Sequence, residues 1–230
     1  MNSLSHLGFG MMVSGLMAFS TTARAQETVR FGLHVLPSLS WFSSNIDDLD
    51  ADSRFNFSFG LMADVHFSEQ YALTTGLNIV KRGGSMVLLD GTLATPKNVQ
   101  GDYTMSLIEF PLALKMRLVD AGDIVPFAKF GGAFGIKTNE KTTFSYAYPD
   151  ATVPGDRFHN VDRGDLMTDL QFNFLIGGGV EYPISERSAV LLGIDYMLPL
   201  NDALSDDEKL IESGDNYRLQ NLQFSVGFIF

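Results

Sequence analysis

Three observations predict an all-β protein, an eight-stranded antiparallel up-and-down transmembrane β-barrel with short periplasmic turns and long extracellular loops. From residue 28 to the C-terminus, apolar and polar side chains alternate with a period of two in eight separable runs, the mark of strands with two different faces. The links between the runs alternate between short and long. The apolar faces also hold more bulky side chains than the interior of an eight-stranded barrel can take, so those faces must be turned to lipid.

The first run sets Val29, Phe31, Leu33, Val35, Leu39 and Trp41 against Arg30, Gly32 and His34. The second sets Phe55, Phe57, Phe59, Leu61, Ala63, Val65 and Phe67 against Arg54, Asn56, Ser58, Gly60, Asp64 and His66. In the third, Tyr71, Leu73, Leu77 and Ile79 oppose Thr74, Gly76, Asn78 and Arg82. The fourth begins with Tyr103, Met105 and Leu107 and then changes phase, with Ile108, Phe110, Leu112, Leu114, Met116 and Leu118 opposing Glu109, Lys115 and Arg117; the slip predicts a β-bulge in this strand. The fifth opposes Ala128, Phe130, Phe134 and Ile136 to Lys129, Gly131, Ala133, Gly135 and Lys137. The sixth opposes Leu166, Leu170, Phe172, Phe174, Ile176, Val180 and Tyr182 to Asp169, Gln171, Asn173, Gly177, Gly179 and Glu181. The seventh carries Val190, Leu192, Ile194, Tyr196 and Leu198 against Gly193 and Asp195, and the eighth Leu222, Phe224, Val226, Phe228 and Phe230 against Asn221, Gln223, Ser225 and Gly227.

Links at about 68–70, 119–125 and 183–188 are short, whereas 43–53, 83–101, 138–165 and 200–216 are long and polar. Short turns on the periplasmic side and long loops outside are the usual arrangement of such barrels, which puts both termini in the periplasm. Trp41, Tyr103 and Tyr217 fall near the loop ends of their strands and Tyr71, Tyr182 and Phe230 near the turn ends, as two interfacial girdles require. Pro37 and Pro111 each remove a ladder donor, so they are expected at bulges or rims.

Residues 1–25 read as a cleavable secretory signal: an apolar run from Leu7 to Phe19 and then Ala23-Arg24-Ala25, a small-residue cleavage pattern. The barrel domain is then 26–230. The apolar run is shorter than a spanning helix needs, and no later stretch is long enough. Absence of cysteine excludes a lipoprotein anchor, thiol chemistry and disulfides. A formal charge of −11 argues against nucleic acid or anionic lipid as an electrostatic partner.

The faces turned to the lumen carry Arg30, Arg54, Arg82, Lys115, Arg117 and Lys129 set against Asp64, Glu109, Asp169, Glu181 and Asp195, among small residues. Balanced charges of this kind suit a narrow tube closed by ion pairs. The competing reading is a soluble two-sheet sandwich, in which the same charges would meet water.

With these runs in view the chain resembles a family. Phe59-Gly60-Leu61, Thr75-Gly76-Leu77, Leu107-Ile108-Glu109-Phe110-Pro111-Leu112-Ala113-Leu114-Lys115, Gly177-Gly178-Gly179-Val180-Glu181-Tyr182-Pro183 and Phe224-Ser225-Val226-Gly227-Phe228-Ile229-Phe230 are similar to the PorT-like "porin family" outer-membrane β-barrels of Bacteroidota. The likeness spans the mature chain, and its motifs are structural. It implies that Phe224, Phe228 and Phe230 form a terminal signal read by the barrel-assembly machinery. It also implies that the role lies between an uncharacterised barrel and a component of type IX secretion.

Chemistry is sparse. His34 and His66 would point into the lumen and His159 lies in the longest loop, but no G-x-S-x-G, H-E-x-x-H or P-loop pattern accompanies them. Asp48, Asp50 and Asp52 have the spacing that starts a calcium loop, without its glycine or its distant glutamate. They read as a solvated loop tip, with weak divalent bridging to lipopolysaccharide as the sharper idea. No cofactor is implied. The expected role is a non-enzymatic interaction component whose partners are outer-membrane lipid and lipopolysaccharide, the assembly machinery, and other outer-membrane or secretion-system proteins. A narrow channel for small solutes and a lipid-modifying enzyme are the alternatives.

Overall fold

The computed structural model describes residues 29–44, 50–90, 97–118, 123–147, 166–185, 187–204 and 217–230. It has eight strands: β1 (Val29–Ser44), β2 (Asp50–His66), β3 (Tyr71–Asp90), β4 (Lys97–Arg117), β5 (Val125–Ala147), β6 (Leu170–Pro183), β7 (Ala189–Pro199) and β8 (Tyr217–Ile229). Each pairs antiparallel with its chain neighbour, and β8 pairs back onto β1 to close the barrel.

The register fixes its geometry. Stepping across directly paired residues from Arg30 leads to Asp64, Thr74, Ala113, Gly131, Leu175, Met197 and Asn221, and returns to β1 at Ser40, ten residues further along. That offset is the shear of the barrel, and with eight strands it sets the tilt and leaves an interior just wide enough for side chains.

The outer wall is apolar. Phe55, Phe57, Phe59, Phe31 and Leu33 are each more than half exposed, and every strand contributes to the band. A water-soluble protein does not leave so many contiguous large apolar groups uncovered. Inside the bilayer the closed ladder satisfies each strand's backbone groups, which is why a closed barrel, and not an open sheet, can cross lipid.

Several local expectations change. β2 begins within the predicted first loop, and β3, β4 and β5 run far into the predicted second and third: β3 pairs with β4 out to Asp90 and Lys97, and β4 with β5 out to Asn98 and Ala147. Much of the polar "loop" sequence is therefore a strand ribbon projecting past the rim, where alternation need not be apolar. The β-bulge is displaced: opposite Ser106 and Leu107 stand Asn139 and Lys137, so the extra residue is Thr138 on β5. In β4 the inward set runs unbroken through Tyr103, Met105, Leu107, Glu109, Ala113 and Lys115, all buried. What changes at Ile108 is the polarity of the lumen, not the phase of the strand.

Tyr103 and Tyr217 accordingly do not belong to an outer girdle; each is 1% exposed and points inward. Trp41 does face outward and stacks on Tyr196 with ring centroids 6.4 Å apart. At the turn end, Tyr71, Tyr182 and Phe230 are exposed. The prolines sit in the middle of the wall and not at bulges or rims. Ladder pairs skip from Val35 to Ser38 between β1 and β8, beside Pro37, and from Thr75 to Asn78 between β3 and β4, opposite Pro111. The second gap is patched by Thr75, whose hydroxyl donates to the Pro111 carbonyl at 3.0 Å.

Candidate functional site: the layered lumen

Because strands tilt, residues of very different register share one height in the tube. Allowing for the shear, the lowest inward level holds Arg30 on β1, Asp64 on β2, Lys115 and Arg117 on β4, and Glu181 on β6. Glu181 accepts from Arg30 at 2.9 Å, stands 3.2 Å from Arg117 and pairs with Lys115. Lys115 also bonds Asp64 at 2.7 Å, and Thr74 donates to the other Asp64 oxygen at 2.6 Å. The Lys115 ammonium lies 4.6 Å from the centre of the Phe127 ring, and cation–π attraction adds to its fixing. Asp64, Lys115 and Glu181 are each at most 1% exposed, so their charges persist only because each is paired; stripping one partner costs several kcal/mol.

A second level surrounds a cavity of about 30 Å³ lined by His34, Asn78, Lys129, Asp195, Leu175 and Gln223, among others. That is room for a water molecule but not for an organic substrate. His34 shares a 2.7 Å hydrogen bond with Asn78, and Lys129 bonds Asp195 at 2.9 Å. Two glycines make these contacts possible. A Cβ on Gly60 would collide with the Asn78 amide oxygen and one on Gly177 with the Asp195 carboxylate, so the Gly-rich stretch of β6 serves close packing.

Above lies Arg82 paired with Glu109, both fully buried. Ser40 joins the same level, donating to the Gly83 carbonyl at 2.6 Å while accepting from Gly83 N–H at 3.0 Å and from Asn56 at 2.8 Å. Above this level the lumen turns apolar. Phe42, Val80, Met86, Tyr103, Met105, Leu107, Tyr217 and Leu219 form one buried cluster with Leu166, Met167, Ala203 and Leu204. The last four come from the segments flanking β6 and β7, which fold inward and join by a bridge between Met167 and Leu204. Lys137 anchors this cap, bonding the Met167 carbonyl, Glu140 at 3.1 Å and Asp169 at 3.0 Å.

Of the charges expected in the lumen, Arg30, Asp64, Arg82, Glu109, Lys115, Arg117, Lys129, Glu181 and Asp195 point inward in ion pairs. Two do not fit. Arg54 has the inward parity but is exposed, because it stands near the upper rim where the tube meets solvent. Asp169 precedes β6, and its side chain is 85% exposed, so it clamps Lys137 from outside. The apolar plug was missed, although its signal was present: Tyr103, Met105 and Leu107 share parity with Glu109 and Lys115.

The remaining candidates are dispersed. His66 meets Arg117 at 3.4 Å through its Nε2, and among the described residues neither it nor His34 is hydrogen-bonded to a carboxylate. His159 and Asp48 lie outside the described residues, as do residues 1–25 and the side chain of Asp50. Asp52 is exposed on β2. Phe224, Phe228 and Phe230 face outward, 40%, 44% and 54% exposed, with Phe228 and Phe230 stacked at 6.3 Å.

Comparison with known proteins agrees with this architecture. Residues 19–205 match the family model described as "Outer membrane protein beta-barrel domain". No curated protein matches the chain. Among solved structures, the outer membrane protease OmpT from Escherichia coli aligns with a TM-score of 0.54 over 92% of this chain and 99% of its own, at 11% identity. OprG from Pseudomonas aeruginosa aligns at 0.43 over 87% and 94%, with 12% identity. Ail, the attachment invasion locus protein of Yersinia pestis, aligns at 0.39 over 88% and 99%, with 10% identity. At such identities the likeness is one of fold, and function varies widely across a shared fold. With a closed barrel, a lipid-facing apolar wall and a family model covering most of its length, the chain belongs to the outer membrane protein beta-barrel domain family.

Proposed function

We propose that this protein is a closed, non-enzymatic barrel that works by contact with a partner, through its projecting extracellular ribbon or its lipid-facing wall, and not by conducting solutes. The observation that carries the reading is the sealed lumen: a buried apolar cap above, paired charges below, and between them a cavity of about 30 Å³. An aqueous channel needs a continuous polar path, and a lipid enzyme needs space for substrate beside its base; the surroundings of His34 and His66 supply neither. The long β3–β5 ribbon carries paired strands beyond the rim, where a partner would be met. The turns at 67–71 and 184–188 share one end with Val29 and Phe230, which supports periplasmic termini; residues 1–25 are proposed as the cleaved leader on their sequence alone. Phe224, Phe228 and Phe230 then serve as the assembly signal, and the resemblance to PorT-like barrels of Bacteroidota makes the type IX secretion apparatus the first place to look for the partner.

Planar-bilayer recording tests this directly. The purified protein should give no steady conductance, while native-membrane purification in mild detergent should retain a defined partner that is lost when the β3–β4 tip, residues 88–99, is replaced by a short turn. Stable single-channel openings by the wild-type protein would overturn the reading.

A further inference from the structure

We infer that the lumen mouth at the turn end of the barrel is an anion-binding site, built by Arg30, Arg117 and His66, for a phosphate-type oxyanion. The case begins with charge balance. Higher in the tube the buried ions are matched one to one, Arg82 with Glu109 and Lys129 with Asp195. At the mouth three cations, Arg30, Lys115 and Arg117, share two carboxylates, Asp64 and Glu181. One positive charge is left over among the described residues. A net charge next to a low-dielectric wall is costly unless a counter-ion meets it.

The excess is also directional. Lys115 is fully buried, with its ammonium committed to Asp64 and Glu181. Arg30 and Arg117 both donate toward the same Glu181 oxygen, at 2.9 and 3.2 Å, so two guanidinium groups flank one acceptor atom. Their side chains keep 16% and 14% of their surface exposed at the mouth. The Nε atom of each lacks an acceptor, as does His66 Nδ1, and His66 itself stands against Arg117 at 3.4 Å. Three unmet nitrogens, two of them on planar forks suited to oxyanion geometry, thus stand at the lumen mouth beside this excess of positive charge among the described residues. The nearby exposed acids Glu69 and Asp123 stand on the turns and form no ion pair with the cluster. Because these groups line the lumen and not the lipid-facing wall, the ligand enters from the aqueous side of the mouth, either as a free anion or as a phospholipid headgroup folded over the rim.

The test uses folded, full-length mature protein, with folding verified by the heat-modifiable gel shift. In detergent, inorganic phosphate is titrated at constant ionic strength against chloride while the unfolding midpoint is followed. In a parallel arm without phosphate, nanodiscs of phosphatidylglycerol are compared with nanodiscs of phosphatidylcholine. We expect a saturable stabilisation in one arm, with the responding arm naming the source, at least tenfold weaker in Arg117→Gln and unchanged in Lys81→Gln, whose side chain lies exposed on the outer wall. Should Arg117→Gln fail to fold, Arg117→Lys keeps the charge, loses the fork, and should still weaken binding severalfold. No anion-dependent stabilisation in either arm, or an Arg117 variant that responds like the wild type, overturns the inference.

Discussion

The two halves of the lumen close the same tube by opposite means. Toward the turns, Arg30, Lys115 and Arg117 converge on Asp64 and Glu181; toward the loops, Phe42, Tyr103, Met105 and Tyr217 pack against the inward-folded Leu166–Met167 and Ala203–Leu204 segments. The lower seal is specific and intolerant, because each buried charge depends on all its partners. The upper seal is additive and plastic, since apolar contacts are individually weak and methionine fills irregular gaps.

Breaking the lower seal should have the largest effect. Glu181→Gln leaves Asp64 as the shared carboxylate of Arg30 and Lys115 and takes from Arg117 the carboxylate it meets, and we expect a loss of about 3–5 kcal/mol, read by urea unfolding in lipid vesicles; a loss under about 1 kcal/mol would make the network ornamental. Next comes the plug. Met105→Ala, at a fully buried position, should cost about 2–4 kcal/mol and, unlike Glu181→Gln, speed amide exchange at Tyr103 and Leu107, read by hydrogen exchange, with the lower seal still preventing conductance. A smaller effect is expected between the seals: Asn78→Ala removes the hydrogen-bond partner of His34 and should cost about 1–2 kcal/mol, with no conductance. Smallest is Thr75→Val, which deletes the bond that patches the Pro111 gap; about 1 kcal/mol of loss is expected, accompanied by faster amide exchange at Gly76 and Leu77. Equal losses for all four variants would mean that the two halves do not differ.

Much of the fold was legible because a strand writes its two faces directly into alternate residues. The run from Phe55 to Phe67 needs no partner to declare which side is greasy, and the inward Arg30, Asp64, Lys115 and Glu181 follow by parity alone. The reading faltered where chemistry and parity diverged. At Tyr103, Met105 and Leu107 the inward face is apolar, so a rule that apolar means outward put the bulge in β4, whereas the extra residue is Thr138 of β5. Alternation assigns the ribbon residues 83–90 and 97–101 to loop because, past the rim, neither face need be apolar, yet cross-strand pairing keeps them extended. Arg54 and Asp169 show the complementary limit: parity says which way a residue points, but only height along the tube says whether that direction is lumen or water.

Taken alone, the sequence determined strand number, the lipid-facing wall and the set of ions available to the interior, because these depend on residues at fixed local spacing. The tertiary structure decided which ion meets which, since the ten-residue shear carries Arg30 and Glu181, 151 positions apart in the chain, to one height. It also decided that the loop-side lumen is stoppered by segments 166–168 and 203–204, because folding back into a tube is a long-range event that no local period records.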